Sequence, residues 1–217
     1  MIRISRALAF AGLLSFCAPA VLAGNQMYEP LSASVQASLN KAISDQAVPY
    51  LAFDTQEEAR SWLDAMSKRL AKRMPDRVAR EEFLVTVHYE AKRAGLDPQL
   101  VLALIQVESA FRKYAVSTAG ARGYMQVMPF WVKLIGGDAG HNLFHLRTNL
   151  RYGCVILRHY LDIENGDLFR ALGRYNGSLG RAPYPNSVLQ AWTAHWTYQL
   201  RAVDVAQDGR KAAASAM

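Results

Sequence analysis

The chain has 217 residues, room for one modest domain with additional elements rather than two full-sized domains. Hydrophobic residues make up 51% and charged residues 20%, which excludes a chain disordered anywhere but at its ends. A formal net charge of +7 favours anionic partners, yet no zinc-finger spacing, RNP-like aromatic stripe or long basic run points to nucleic acid.

The chain opens with "MIRISRALAFAGLLSFCAPAVLAGN": Arg3 and Arg6, an apolar stretch from Ala7 to Phe16, then small residues with A-x-A-like endings at Ala20 and Ala23. This pattern predicts a secretory signal peptide over 1–23, cleaved near Ala20 or Ala23, and a periplasmic or cell-envelope location. The stretch is well short of the roughly 20 residues a membrane-spanning helix needs. Lipid attachment at Cys17 is disfavoured by bulky Phe16 in front of it. Cleavage lowers the charge from +7 to +5 and leaves Cys154 as the sole cysteine, so no intramolecular disulfide is expected. Its neighbours in "RYGCVILRHY" are apolar, which predicts a buried, inert thiol. A basic exported protein meets anionic envelope polymers, including cell-wall glycan with its peptide carboxylates.

Leu31, Val35, Leu39 and Ile43 recur every fourth residue and draw an amphipathic helix that ends before Pro49. A second helix opens with Thr55 and Glu58 at capping-box spacing, sets Trp62, Leu63, Met66 and Leu70 on one face, and stops at Pro75. A third runs from Arg77 to Ala94, with Gly95 as its stop. Asp97 and Pro98 restart the chain as N-cap and first helical residue of "QLVLALIQVESA", a helix with no polar face that must be buried on nearly all sides. "VSTAGARGYMQV" reads as a loop with short extended pieces. "PFWVKLI" is a short helix, and a longer one is expected from Asn149 through "NLRYGCVILRHYLDIENG". Another begins at Asp167 and ends in a glycine turn, and the last sets Val188, Leu189, Trp192 and Trp196 on one face. From about Gln207 the chain has little to bury and is expected to fray. With no internal repeat and no run of alternating strands, the expected architecture is mainly α, packed around the Gln99 to Ala110 segment with a loop-lined cleft.

The buried helix carries one charge, Glu108. Two readings of it stand on spacing alone: a carboxyl turned to solvent or paired with Arg112 at i+4, and a carboxyl held in apolar surroundings. In the second, desolvation raises the pKa, and the group becomes a general acid near neutral pH.

The residues that follow resemble a known signature. "ESAFRKYAVSTAGARGYMQVMP" is similar to the motif of lytic transglycosylases of the soluble murein type, relatives of goose-type lysozymes, through Glu108, Ser109, Phe111, Ser117, Gly120, Ala121, Gly123, Met125, Gln126, Met128 and Pro129. "NLRYGCVILRHYL" resembles the family's next long helix, and "GRYNGS" its Tyr-Asn motif. The resemblance spans Val85 to Tyr198. It implies a lysozyme-like helical domain over 85–200, preceded by a helical segment over 24–84 and followed by a tail over 201–217.

The resemblance also implies the chemistry. Glu108 is the acid and base that cleaves the β-1,4 bond between N-acetylmuramic acid and N-acetylglucosamine, giving 1,6-anhydro ends without water. No obligatory second carboxylate and no cofactor are implied. Gln126 is expected on the cleft wall, bonded to the sugar, unless it serves loop backbone groups. The Tyr175 hydroxyl is expected near the glutamate or the substrate N-acetyl group, with Asn176 beside it; the alternative is a core aromatic with a satisfied hydroxyl. Ser117 either donates to Glu108 or caps the loop. Tyr124, where leucine is common, either stacks on a sugar or fills the same pocket. Met128 is a further candidate contact, and Met125 and Met128 also suit the core. Gly177 and Ser178 replace the usual alanine and glycine, and His145 and Leu146 replace a frequent Asp-Pro.

Two other motifs carry little. His141 and His145 are four apart but have no third ligand nearby, so no metal site is expected. "NGSLG" misses the first glycine of a nucleophile elbow. Peptidoglycan strands are the expected partner, with an envelope-assembly protein as a second. The rival readings are a hydrolytic muramidase and a non-catalytic glycan-binding component of an envelope-spanning apparatus.

Overall fold

The structure is a computed structural model and describes residues 26–44, 46–136 and 140–199. The signal peptide expected over 1–23 and the tail expected over 201–217 lie outside the described residues, as do Asp138 and the second glycine of the Gly136-Gly137 stop. Among the described residues the chain is mainly α, as the sequence predicts: α1 (Ala33–Ile43), α2 (Gln56–Leu70), α3 (Arg77–Arg93), α4 (Pro98–Ser109), α5 (Phe130–Ile135), α6 (Leu146–Ile163), α7 (Leu168–Asn176) and α8 (Pro183–Ala191). A π-helical turn, Trp192–Trp196, continues α8.

Side-chain caps start most of these helices. Ser32, Thr55, Asp76, Asp97 and Asp167 each accept a hydrogen bond from a backbone N–H of the first turn they precede, satisfying donors that the helix leaves open. α6 begins at Leu146 rather than Asn149, with His145 at its N-cap and no side-chain cap. Asn149 looked like a cap because asparagine favours helix starts, but its side chain is used for tertiary contacts described below.

α4 is the axis of the molecule. Leu100 through Ile105 are all buried, and α3, α8 and the π-helical turn pack around it. Each fully buried leucine or isoleucine there contributes about 2 kcal/mol from removed apolar surface. α6 packs on α3 and α7, and α7 on α8. One hydrophobic core runs without a break from Leu39, Trp62 and Leu70 in the N-terminal helices to Leu102, Leu157 and Trp196.

The N-terminal helices are joined to the rest by buried polar groups as well. Glu90 on α3 binds Arg151 at 2.9 Å, Arg147 at 3.2 Å and Arg93 at 3.4 Å, and Arg151 also donates to the Ile43 carbonyl at the end of α1 at 3.0 Å. His88 stacks on Phe53 with ring centroids 4.6 Å apart and meets the Trp62 edge at 5.0 Å. Burial pushes the His88 imidazole down to about 4, so it is neutral at physiological pH.

Candidate active site

Glu108 sits in the last turn of α4 and points inward, with 4% of its surface exposed. The helix ends abruptly behind it. Ala110 and Phe111 both adopt left-handed backbone, with φ of 49° and 65°, a conformation that costs a non-glycine residue about 1 kcal/mol. That reversal turns the chain out of the helix and places Phe111 in the core against Phe83 and Trp196. Arg112, the alternative partner for Glu108, instead donates to the Ser109 carbonyl at 3.0 Å.

One carboxylate oxygen, Oε1, accepts a hydrogen bond from the hydroxyl of Tyr184 on α8. The other, Oε2, is buried without a hydrogen-bond partner. Burial pushes the Glu108 carboxyl up to about 8, against the opposing pull of the Tyr184 donor. The Tyr184 phenol is itself driven well above its ordinary range by burial and by the neighbouring carboxylate. It therefore stays protonated as a donor. The site thus holds a carboxylic acid that keeps its proton at neutral pH, beside a fixed hydroxyl and with one oxygen uncommitted.

Tyr184 was missed in the sequence. The signal was present: it lies four residues before Val188, on the same face as Val188 and Trp192, just inside a proline-started helix.

The loop between α4 and α5 is tied in through Tyr175, which bonds to the Met125 carbonyl, and α6 latches it. Two isolated β-bridges, Val116 to Arg122 and Arg122 to Val127, fold it on itself. Asn149 then holds it at two points and joins it to the segment before α6: Oδ1 accepts from Met125 N at 2.8 Å, and Nδ2 donates to the loop carbonyl of Arg122 at 2.8 Å and to that of Leu143 at 2.9 Å. Gly153 on α6 lets the Met125 side chain lie directly on the helix, since a Cβ there would stand 2.3 Å from its sulfur.

The candidate residues fall around this frame. Gln126, buried and at a φ of 49°, donates through Nε2 to the carbonyls of Gly123 at 2.9 Å and Ala115 at 3.1 Å, so its nitrogen serves the loop. Ser117 Oγ accepts from Ala121 N at 3.1 Å, a loop-closing bond. Tyr124 is buried with its ring 4.9 Å from that of Phe83. Met128 is half-buried at the loop's end. Tyr175 is fully buried and donates to the Met125 carbonyl at 2.7 Å. Its phenol is pushed well up by burial and then by the charge of Glu108, which places the two groups within electrostatic reach. Asn176 donates to Ser178 Oγ at 3.1 Å, while its buried Oδ1 has no hydrogen-bond partner. The structure thus brings Glu108, Tyr184, Tyr175 and Met125 together, ties Ser117 and Gln126 into the loop's own bonds, and sets Tyr124 against Phe83 of α3.

Among the described residues no three His, Cys, Asp or Glu side chains group as a metal site. His141 meets the Tyr152 hydroxyl at 2.7 Å. The Cys154 thiol is buried and pushed well up by desolvation, as the sequence suggested for an inert cysteine.

Part of the chain is similar to known proteins. Residues 86–186 match the family model described as Transglycosylase SLT domain. A protein of Actinobacillus pleuropneumoniae serotype 5b (strain L20), named membrane-bound lytic murein transglycosylase C, is 50% identical over 52 residues, covering 24% of this chain and 14% of the relative. The protein of the same name from Haemophilus influenzae (strain PittEE) is 32% identical over 118 residues, covering 48% of this chain and 33% of the relative. The protein named transglycosylase from Enterobacteria phage PRD1 is 32% identical over 112 residues, covering 48% of this chain and 41% of the relative. In each case the chain spans less than half the relative's length. The segment 86–186 that matches the Transglycosylase SLT domain holds Glu108 at the end of its buried helix, Tyr184 bonded to it and the Asn149-latched loop.

Proposed function

We propose that the protein is an exported peptidoglycan lytic transglycosylase that cleaves the β-1,4 bond between N-acetylmuramic acid and N-acetylglucosamine without water. The observation that supports this most is Glu108 itself: a carboxyl buried in the transglycosylase domain, pushed up to about 8, with a single hydroxyl partner and a second oxygen uncommitted. Such a group donates a proton near neutral pH and takes one back, as one residue acting as both acid and base must.

In this reading Glu108 transfers its proton to the glycosidic oxygen as the bond to muramoyl C1 breaks, and the N-acetylglucosamine side leaves with a free hydroxyl. The substrate's N-acetyl group stabilises the positive centre at C1. The muramoyl C6 hydroxyl then bonds to C1 and gives its proton to Glu108, which restores the acid and closes the 1,6-anhydro ring. Tyr184 holds the carboxyl in place throughout. The acids that precede the buried helix are engaged elsewhere: Glu90 by three arginines, and Asp97 as the cap of α4. That arrangement suits a mechanism with one carboxylate better than the usual pair.

We assign glycan contact to Met128 and to the unpartnered Oδ1 of Asn176, with Gln126, Ser117 and Tyr124 shaping the wall. The names of the two bacterial relatives place those proteins at a membrane, which agrees with an envelope location here. Among the described residues no helix is long and apolar enough to cross one.

The test is digestion of purified sacculi followed by mass spectrometry. The wild-type chain is expected to release muropeptides one water lighter than those of a hydrolytic muramidase. Glu108→Gln is expected to release none while still binding sacculi; undiminished release by the variant removes Glu108 from the chemistry.

A further inference from the structure

The residues just before α1 reach the active-site wall. Gln26 is buried at 4% exposure, although it lies in a segment without secondary structure. Its carbonyl oxygen accepts a hydrogen bond from the backbone N–H of Met128 at 3.3 Å. Its amide also lies beside the Tyr175 hydroxyl, whose own proton goes to the Met125 carbonyl. The Gln26 Nε2 is buried and has no hydrogen-bond partner. Next in the chain, Tyr28 packs edge-on against Phe130 with centroids 5.7 Å apart, and Glu29 pairs with Arg174 at 3.0 Å.

A carboxamide therefore occupies the wall between Met128 and Tyr175. Its C=O meets a backbone donor and its N–H₂ sits beside a phenolic oxygen. The acetamido group of an N-acetylated sugar offers the same pair, one carbonyl acceptor and one N–H donor on a shared carbon. We propose that residues 26–30 form a strap whose Gln26 side chain fills an acetamido subsite of the glycan cleft, so that an incoming N-acetylated glycan must displace it. This rests on the glycan-cleaving reading above.

The attachment is built to release. Tyr28 is 60% exposed and the Glu29 side chain 53% exposed, so the edge contact and the ion pair are weak, solvent-screened bonds. The one buried anchor, Gln26, leaves a donor unsatisfied, which lowers the cost of withdrawing it. A competitor tethered beside its site still acts at high effective concentration. Such a strap reduces apparent glycan affinity by the fraction of molecules it leaves open, so that one open molecule in about five gives a fivefold loss.

The test uses the full chain carrying Glu108→Gln, so that ligand is not consumed, with chitin oligosaccharides as the N-acetylated probe. Calorimetry compares this protein with one that also carries Gln26→Ala, Tyr28→Ala and Glu29→Ala; Ser32 and α1 are untouched. The triple substitution is expected to tighten binding about fivefold. Hydrogen exchange of the amides of residues 26–29 in the unsubstituted strap is expected to rise when oligosaccharide is added. Unchanged or weaker binding overturns the strap, and so does exchange that slows on ligand addition, which marks a clasp on the glycan instead. If the wild-type chain releases muropeptides and the triple substitution leaves affinity unchanged, the strap alone falls. If nothing is released and no oligosaccharide binds, the glycan reading falls with it.

Discussion

Glu108 and Tyr184 meet at the candidate site from two helices far apart in sequence. The tyrosine donor favours the carboxylate, whereas burial favours the neutral acid, and burial dominates. Replacing Tyr184 by Phe removes the donor and leaves the burial. The Glu108 pKa is then expected to rise further, which moves the alkaline limb of the pH–rate profile upward. The carboxyl also loses its orienting partner, so kcat is expected to fall about ten- to a hundredfold, the worth of a hydrogen bond to a charged group. A pH profile of muropeptide release checks both effects; an alkaline limb that moves downward removes Tyr184 from the control of Glu108. The glutamate was legible as an anomaly, a lone charge in an apolar run. Its partner was not, because only packing of α8 on α4 makes the two adjacent.

At the level of elements, the loop between α4 and α5 is held from α6 as well as by its own bonds. Its two isolated bridges are supplemented from α6, where Asn149 satisfies three backbone groups and Gly153 gives the Met125 side chain room. Gly153→Ala places a methyl 2.3 Å from the Met125 sulfur and 2.7 Å from its Cβ. Since Cβ is fixed to the backbone, the loop itself must move, and with it the Met125 carbonyl that holds Tyr175 and the Met128 N–H. Overpacking of this kind costs about 1 to 3 kcal/mol of stability. Muropeptide release is expected to fall at least about tenfold while the helical circular dichroism is retained. Full activity in this variant excludes the α6–loop contact as the determinant of the wall. The helices themselves followed from apolar periodicity and cap residues, and the caps at Thr55, Asp97 and Asp167 were read correctly for that local reason. α6 began three residues earlier than expected, because a tertiary role for Asn149 carries no local mark.

Across the whole molecule, a buried acid ties stability to pH. Glu108 ordinarily titrates at 4.5 and is pushed up to about 8 when folded. Below the ordinary value both states hold the proton, and the site costs little. Between the two values the unfolded chain releases a proton that the folded chain keeps, so stability falls with rising pH by up to about 1.4 kcal/mol per unit, and levels above about 8. His88 acts in the opposite sense: its folded value is lowered from 6.5 to about 4, so its neutral burial favours folding increasingly as pH rises through that window. Comparison with Glu108→Gln isolates the first term. The melting temperature of the variant is expected to exceed that of the wild type by a margin that widens from about pH 5 to about pH 8. A constant margin means that Glu108 is not held protonated by the fold.

The sequence by itself determined the mainly helical class, the burial of α4, the inert cysteine and the unusual position of Glu108. Each is written in short-range patterns: apolar period, cap residues, and a charge where the period demands grease. The downstream motif added the family, and the matched domain agrees with it. Only the tertiary structure decided which hydroxyl meets the acid, what latches the loop and where Gln26 lies. Those contacts join residues tens of positions apart, and no local preference encodes them; they exist because one continuous core fixes how α4, α6 and α8 pack.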